Sequence, residues 1–128
     1  MYIDNMNCAI DTVARELGLT IREFTVAGFK YENLFAHRWY IGTDETEVDA
    51  GRVKALLDAT LCKINDDYAV ERTSALKEVF VEILPNSYFI EYLRSKGKEG
   101  AMNKFPRVLK NGAIADWESF LHVRAGLC

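Results

Sequence analysis

Near the start of the chain, apolar residues recur at helical spacing. Ala9, Ile10, Val13, Ala14 and Leu17 fall three or four apart, with Asn5 where a cap belongs and Gly18 where a helix stops. The period then changes. Leu19 to Ala27 is β-prone and ends at Gly28, which predicts a strand, and Gly28 to Asn33 reads as the connection to the next one. From Leu34 to Gly42 the residues alternate: Phe35, His37, Trp39 and Ile41 share one face, and Leu34, Ala36, Arg38 and Tyr40 the other. A short loop between two strands predicts a hairpin.

Thr43 to Glu47 is an acidic turn. From Val48 a helical stripe returns through Val53, Leu56, Leu57, Leu61 and Ile64, with Asp49 early, where negative charge suits a helix N-terminus. Asn65-Asp66 breaks it, and Asp67 to Arg72 reads as a short helix or turn carrying Tyr68. Glu78 to Leu84 alternates as a third strand, ended by Pro85. Asn86 or Ser87 then caps a helix with Phe89, Ile90 and Leu93 inward, running to Gly97. Val108-Leu109 adds a short strand, Asn111-Gly112 a turn, and Ala113 to about Val123 a last helix with Trp117, Phe120 and Leu121 inward. The order α-β-β-α-β-α predicts an α+β fold: a small mixed or largely antiparallel sheet covered by helices, in a single domain over residues 1–128.

Composition narrows the function classes. The 128 residues are 49% hydrophobic and 27% charged, ordinary for a folded domain with a continuous core. No apolar run approaches the ~18 residues that span a bilayer, and the N-terminus lacks the pattern of an export signal. The three cysteines, Cys8, Cys62 and Cys128, lie far apart without CxxC spacing, which argues against a disulfide framework or a zinc site and for a reducing cytoplasm. Two histidines are too few for a multi-histidine metal centre, so no metal site is expected. The net charge of -3 gives no reason to expect nucleic acid.

Against that acidic background one stretch stands out. Ser95 to Arg107 carries Lys96, Lys98, Lys104 and Arg107 with glycines at 97 and 100, a basic loop leaving a helical pattern. It is either aimed at an anion such as a phosphate or is a solvated loop complementing a helix C-terminus.

Several segments together resemble one family. They are His37-Arg38-Trp39-Tyr40-Ile41, Asn65-Asp66-Asp67-Tyr68-Ala69-Val70-Glu71-Arg72, Ser95-Lys96-Gly97-Lys98-Glu99-Gly100 and Lys104-Phe105-Pro106-Arg107, with Tyr2-Ile3-Asp4-Asn5 and Phe24-Thr25-Val26-Ala27 in support. In this order and spacing they look like the C-terminal domain of the auxin-responsive, Gretchen Hagen type acyl-acid amido synthetases, most like the bacterial branch, within the adenylate-forming superfamily. The resemblance implies two-step chemistry in a complete enzyme. A carboxylic acid is adenylated with ATP and magnesium, and an amine, usually of an amino acid, displaces AMP to give an amide. It implies that the small domain is a lid swinging over a large N-terminal adenylation domain, in cis or in trans, and is inactive alone with no cofactor bound.

The lysine that such a lid brings to the phosphates matches Lys104. Pro106 biases Phe105 towards extended backbone. Arg107 either grips a phosphate or carboxylate or braces the loop on an acidic neighbour, and Lys98 and Lys96 are auxiliary charge, Lys98 counted among the phosphate-binding residues. Ala101-Met102-Asn103 stands where family members often have Gly-Gln-His, a change at positions that help place the nucleotide or the lysine. The chain begins where the C-terminal domain would begin, so the adenylation domain is expected to be absent from it. A rival reading is a stand-alone interaction module or homodimer that keeps the fold without the chemistry. His37 is read as a core or interface histidine, Trp39 and Tyr40 as sheet packing, Asp66-Asp67 as helix termination and capping, Tyr68 and Arg72 as structural, and Cys62 as semi-buried filler.

Overall fold

The computed structural model describes residues 3–97 and 105–124. Lys98, Ala101-Met102-Asn103, Lys104 and Cys128 lie outside them. The chain runs α1 (Ile3–Leu17), β1 (Phe24–Tyr31), β2 (Leu34–Thr43), α2 (Ala50–Ile64), α3 (Asp66–Thr73), β3 (Leu76–Pro85), α4 (Asn86–Ser95), β4 (Val108–Leu109) and α5 (Gly112–Arg124). The four strands form one sheet in the order β3-β2-β1-β4. β1 and β2 are antiparallel, while β2 with β3 and β1 with β4 are parallel, so the sheet is mixed as expected.

Because side chains alternate along a strand, the sheet has two distinct faces. Phe24, Val26, Trp39, Ile41, Leu76 and Val79 point to one, where Met6, Ala9, Ile10 and Val13 of α1, Val53, Leu57 and Leu61 of α2, and Tyr68 of α3 bury them. Ala27 and Tyr40 point to the other, against Phe89, Tyr92 and Leu93 of α4, Phe105, Leu109, and Trp117 of α5. The two residues of β4 divide between the faces. Val108, opposite Val26, packs on the first core, and Leu109, opposite Ala27, enters the second.

Local differences from the sequence pattern have physical causes. Asn5 lies inside α1, and its Oδ1 accepts from Asn65 Nδ2 at 2.9 Å instead of capping. Residues 19–23 are not ladder-paired strand: the Glu23 and Thr20 carbonyls accept from the Gly42 and Asp44 N–H groups (2.8 and 3.2 Å), but the Thr20 N–H donates to Glu45 Oε1 at 2.8 Å and the Arg22 N–H to Asn86 Oδ1 at 3.2 Å, so side chains take the N–H groups that a strand would pair. β1 instead runs on through Gly28, and the hairpin closes in two residues, Glu32 and Asn33, both at positive φ (47° and 69°), as a primed turn requires.

Asp49 is the N-cap of α2, accepting from the Gly51 and Arg52 N–H groups. Asn65 closes α2 and opens α3, accepting from the Tyr68 N–H. At α4 neither expected cap operates. Pro85 precedes the helix without a side-chain cap, and the buried Asn86 carboxamide turns away to donate to the Thr20 carbonyl (3.2 Å) and Asp44 Oδ1 (2.8 Å). That crossing leaves room only for glycine at 42, where a Cβ would come within 2.5 Å of Asn86 Oδ1.

Candidate functional site

The basic loop leaves α4 and returns at β4, and both of its described ends are fixed to the aromatic core. At the departing end the Ser95 hydroxyl donates to the Tyr92 carbonyl at 2.6 Å, and Gly97, at φ +69°, donates its N–H to the Arg94 carbonyl at 3.0 Å, a left-handed helix stop. Lys96 Nζ lies 2.6 Å from Asp116 Oδ2 on α5 and 5.6 Å from the centre of the Tyr92 ring. The Tyr92 hydroxyl donates to the same Asp116 oxygen at 2.7 Å. Lys96 first, and then Tyr92, hold the Asp116 carboxyl below the usual carboxylate range. Burial, then Asp116, pushes the Tyr92 phenol up to about 12.

At the returning end Phe105 is 2% exposed. Its ring centre lies 4.9 Å from Trp117, 5.0 Å from Phe89 and 5.5 Å from Tyr92, the first two edge-on. The next two backbone carbonyls are tied to β1: Pro106 accepts from Thr25 Oγ1 at 2.7 Å and Arg107 from the Val26 N–H at 2.9 Å. The Arg107 guanidinium donates to Glu23 Oε1 and to the Phe24 carbonyl, both at 2.9 Å, and lies 4.3 Å from the Phe24 ring centre. Of the two roles open to Arg107 in the sequence, the bracing contact is thus present. Tyr92 is common to both ends, carrying Lys96 over its ring and Phe105 beside it.

The remaining singled-out residues lie elsewhere. His37 falls on the Trp39 side of β2, across the sheet from the aromatic core; its Nδ1 is buried without a partner, and burial lowers its pKa, favouring neutral imidazole. Arg72 grips Asp58 with Nε and Nη2 (3.0 and 3.1 Å) and donates to the Leu76 carbonyl at 2.8 Å, while the Tyr68 hydroxyl donates to Asp58 Oδ1 at 2.6 Å. Both have their partners within the domain. Asp66 and Asp67 open α3 in its first turn. Cys8 is exposed and Cys62 half-buried, both as free thiols.

Sequence reasoning missed Glu23, Thr25, Asp116 and Phe105 as anchors of the loop. Phe105 alone carried a signal, as the one aromatic residue in the basic stretch; the other three are ordinary polar residues whose partners lie 20 or more positions away.

Residues 4–113 match the model of the GH3 family C-terminal domain. The chain belongs to that family. Two solved structures share the fold. A GH3.15 acyl acid amido synthetase superposes with a TM-score of 0.73 at 13% identity, over 96% of this chain and 23% of that one. AtGH3.15 acyl acid amido synthetase in complex with 2,4-DB gives 0.71 at 15% identity, over 92% and 23%. The chain therefore spans about a quarter of the length of the synthetases it resembles. A search of curated protein sequences gave no match. Among the described residues no helix is long and apolar enough to cross a membrane.

Proposed function

We propose that this GH3 C-terminal domain is the closing lid of an ATP-dependent acyl-acid amido synthetase of bacterial type, working in the cytoplasm on a large adenylation domain. The observation that carries the reading is the double anchoring of the basic loop. Ser95 and Lys96 at one end are tied to Tyr92, and Phe105 at the other packs on Tyr92 and Trp117, so the aromatic core is coupled directly to the residue beside Lys104. In this reading, closure brings the Lys104 ammonium to the α-phosphate of ATP, where it meets negative charge as the acyl-adenylate forms and pyrophosphate leaves. Lys98 adds positive charge to the phosphate region. Arg107, already held by Glu23 and Phe24, contributes chiefly by fixing the loop's return, and its positive field supplements the two lysines.

Among the described residues no group of three His, Cys, Asp or Glu side chains is placed to hold a metal. ATP and the metal would be held by the large domain, and the lid alone would be silent. The test is acid-dependent ATP–pyrophosphate exchange with the adenylation domain supplied. Lys104→Ala should slow exchange about 10²–10³-fold while leaving the fold intact by circular dichroism. An unchanged rate removes Lys104 from this role. Exchange by the isolated chain removes the lid reading altogether.

A further inference from the structure

A concavity of about 270 Å³ opens between β2, β3, α4 and α5 on the aromatic side of the sheet. Its size sits at the small end of ligand pockets and suits a molecule of about ten non-hydrogen atoms. Tyr40, buried to 2% exposure, is among its lining residues, with Leu84, Tyr88 and Leu121 as further walls. The charged lining is Arg38 from β2, Glu82 from β3 and Glu118 from α5, and the imidazole of His122 on α5 also lines the cavity.

These charges are not spent on each other. Neither Glu82 nor Glu118 takes part in an ion pair among the described residues. Arg38 is held in place by packing and by a hydrogen bond to the Tyr40 hydroxyl: its guanidinium lies 5.2 Å from the Phe29 ring centre and 5.3 Å from that of Phe80, while its buried Nε has no hydrogen-bond acceptor. Burial first, then Glu82 and Glu118, push the Tyr40 phenol up, so both carboxylates act electrostatically on this buried side chain. One fixed guanidinium calls for a carboxylate. Two unpaired carboxylates beside aromatic rings call for cations. With one positive and two negative side chains, the complement carries two cationic groups and one anionic group.

From this geometry and charge we infer that the cavity binds a small dibasic amino acid, its carboxylate on Arg38 and its two cationic groups towards Glu82 and Glu118. The inference does not depend on the lid reading, since none of the described residues of the basic loop lines the cavity.

The test is an amide chemical-shift titration of the chain with L-lysine, with cadaverine (which lacks the carboxylate) and with 6-aminohexanoate (which lacks the α-ammonium), at matched ionic strength. L-lysine should give saturable shifts at Tyr40, Leu84, Tyr88 and Leu121, with about ten-fold higher affinity than either truncated probe. Glu82→Gln and Glu118→Gln should each weaken L-lysine about five-fold. Arg38→Met should weaken L-lysine and should not weaken cadaverine. Absence of saturable shifts at those four residues overturns the inference. So does cadaverine or 6-aminohexanoate matching L-lysine on the unaltered chain, a comparison that needs no variant to fold.

Discussion

The two sides of the sheet solve the same packing problem differently. On the α1–α2–α3 side the core is largely aliphatic and broad, and a tyrosine–carboxylate–cation group, Tyr68–Asp58–Arg72, is locked into it by bidentate contacts. On the α4–α5 side the core is small and mostly aromatic, and its corresponding group, Tyr92–Asp116–Lys96, lies nearer solvent and uses a single lysine ammonium. Fractional side-chain exposures make the contrast concrete: 20% and 23% for Arg72 and Asp58, against 41% and 45% for Lys96 and Asp116. Arginine's planar fork suits a partly buried joint that must not move, whereas lysine gives a looser tie. The first side is scaffold. The second side shares its core residues with the basic loop, so packing there and placement of the loop are one property.

The sharpest way to break that contrast is a matched pair of core truncations. Leu61→Ala on the scaffold side and Phe105→Ala on the loop side each remove a residue exposed by 2% or less. Each should cost about 3–4 kcal/mol in chemical denaturation, the range for emptying a core site. With the adenylation domain supplied and the temperature kept well below unfolding, only Phe105→Ala should also depress exchange activity. Equal activity losses would mean that the two sides are not functionally distinct.

Much of this division was legible in the sequence. The aliphatic positions of Ala9–Leu17 and Val53–Leu61 and the alternation Trp39–Ile41 specified the scaffold side because such residues have few other places to go, whereas Phe35 and Ile64, read into the same stripes, are exposed. Trp117 and Phe120 likewise announced the inner face of α5. What escaped was decided by long-range partners. Residues 19–23 have strand composition but the Thr20 and Arg22 N–H groups meet Glu45 and Asn86 instead of a strand, and Asn86, a good cap locally, is drawn into a crossing with Thr20 and Asp44. The turn at Glu32-Asn33 hides because Glu is a poor residue for positive φ, so the sequence lacks the usual Asn-Gly mark. The loop's chemistry was read from its charge and its family resemblance, but its anchoring was not: neither Glu23 nor Asp116 has a local pattern pointing to its partner.

A smaller effect separates the two tyrosine groups. Asp58→Asn leaves the Arg72 guanidinium half-buried without its carboxylate and weakens the bond made by the nearly inaccessible Tyr68 hydroxyl. It should cost about 2–3 kcal/mol, read by urea denaturation. A cost indistinguishable from that of an exposed Asp→Asn change would show that this joint is no tighter than its counterpart.

Asp116→Asn should barely alter denaturation at neutral pH, and its readout is titration. The fold raises the Tyr92 phenol above its ordinary value of 10, so the neutral phenol's contribution to stability is fully present below pH 10 and lost as pH rises through about 12. The fold lowers the Asp116 carboxyl, so that contribution is present above its ordinary 3.8 and lost as the solution is acidified through the lowered value. With Asn at 116 the acid-side loss from this group should disappear. The Tyr92 absorbance titration should move only part of the way from about 12 towards 10, because burial is the larger cause of the shift and remains. A full return to 10 would mean that the aromatic side is open enough for water to reach the phenol, and that the departing end of the basic loop is held by Asp116 and not by packing.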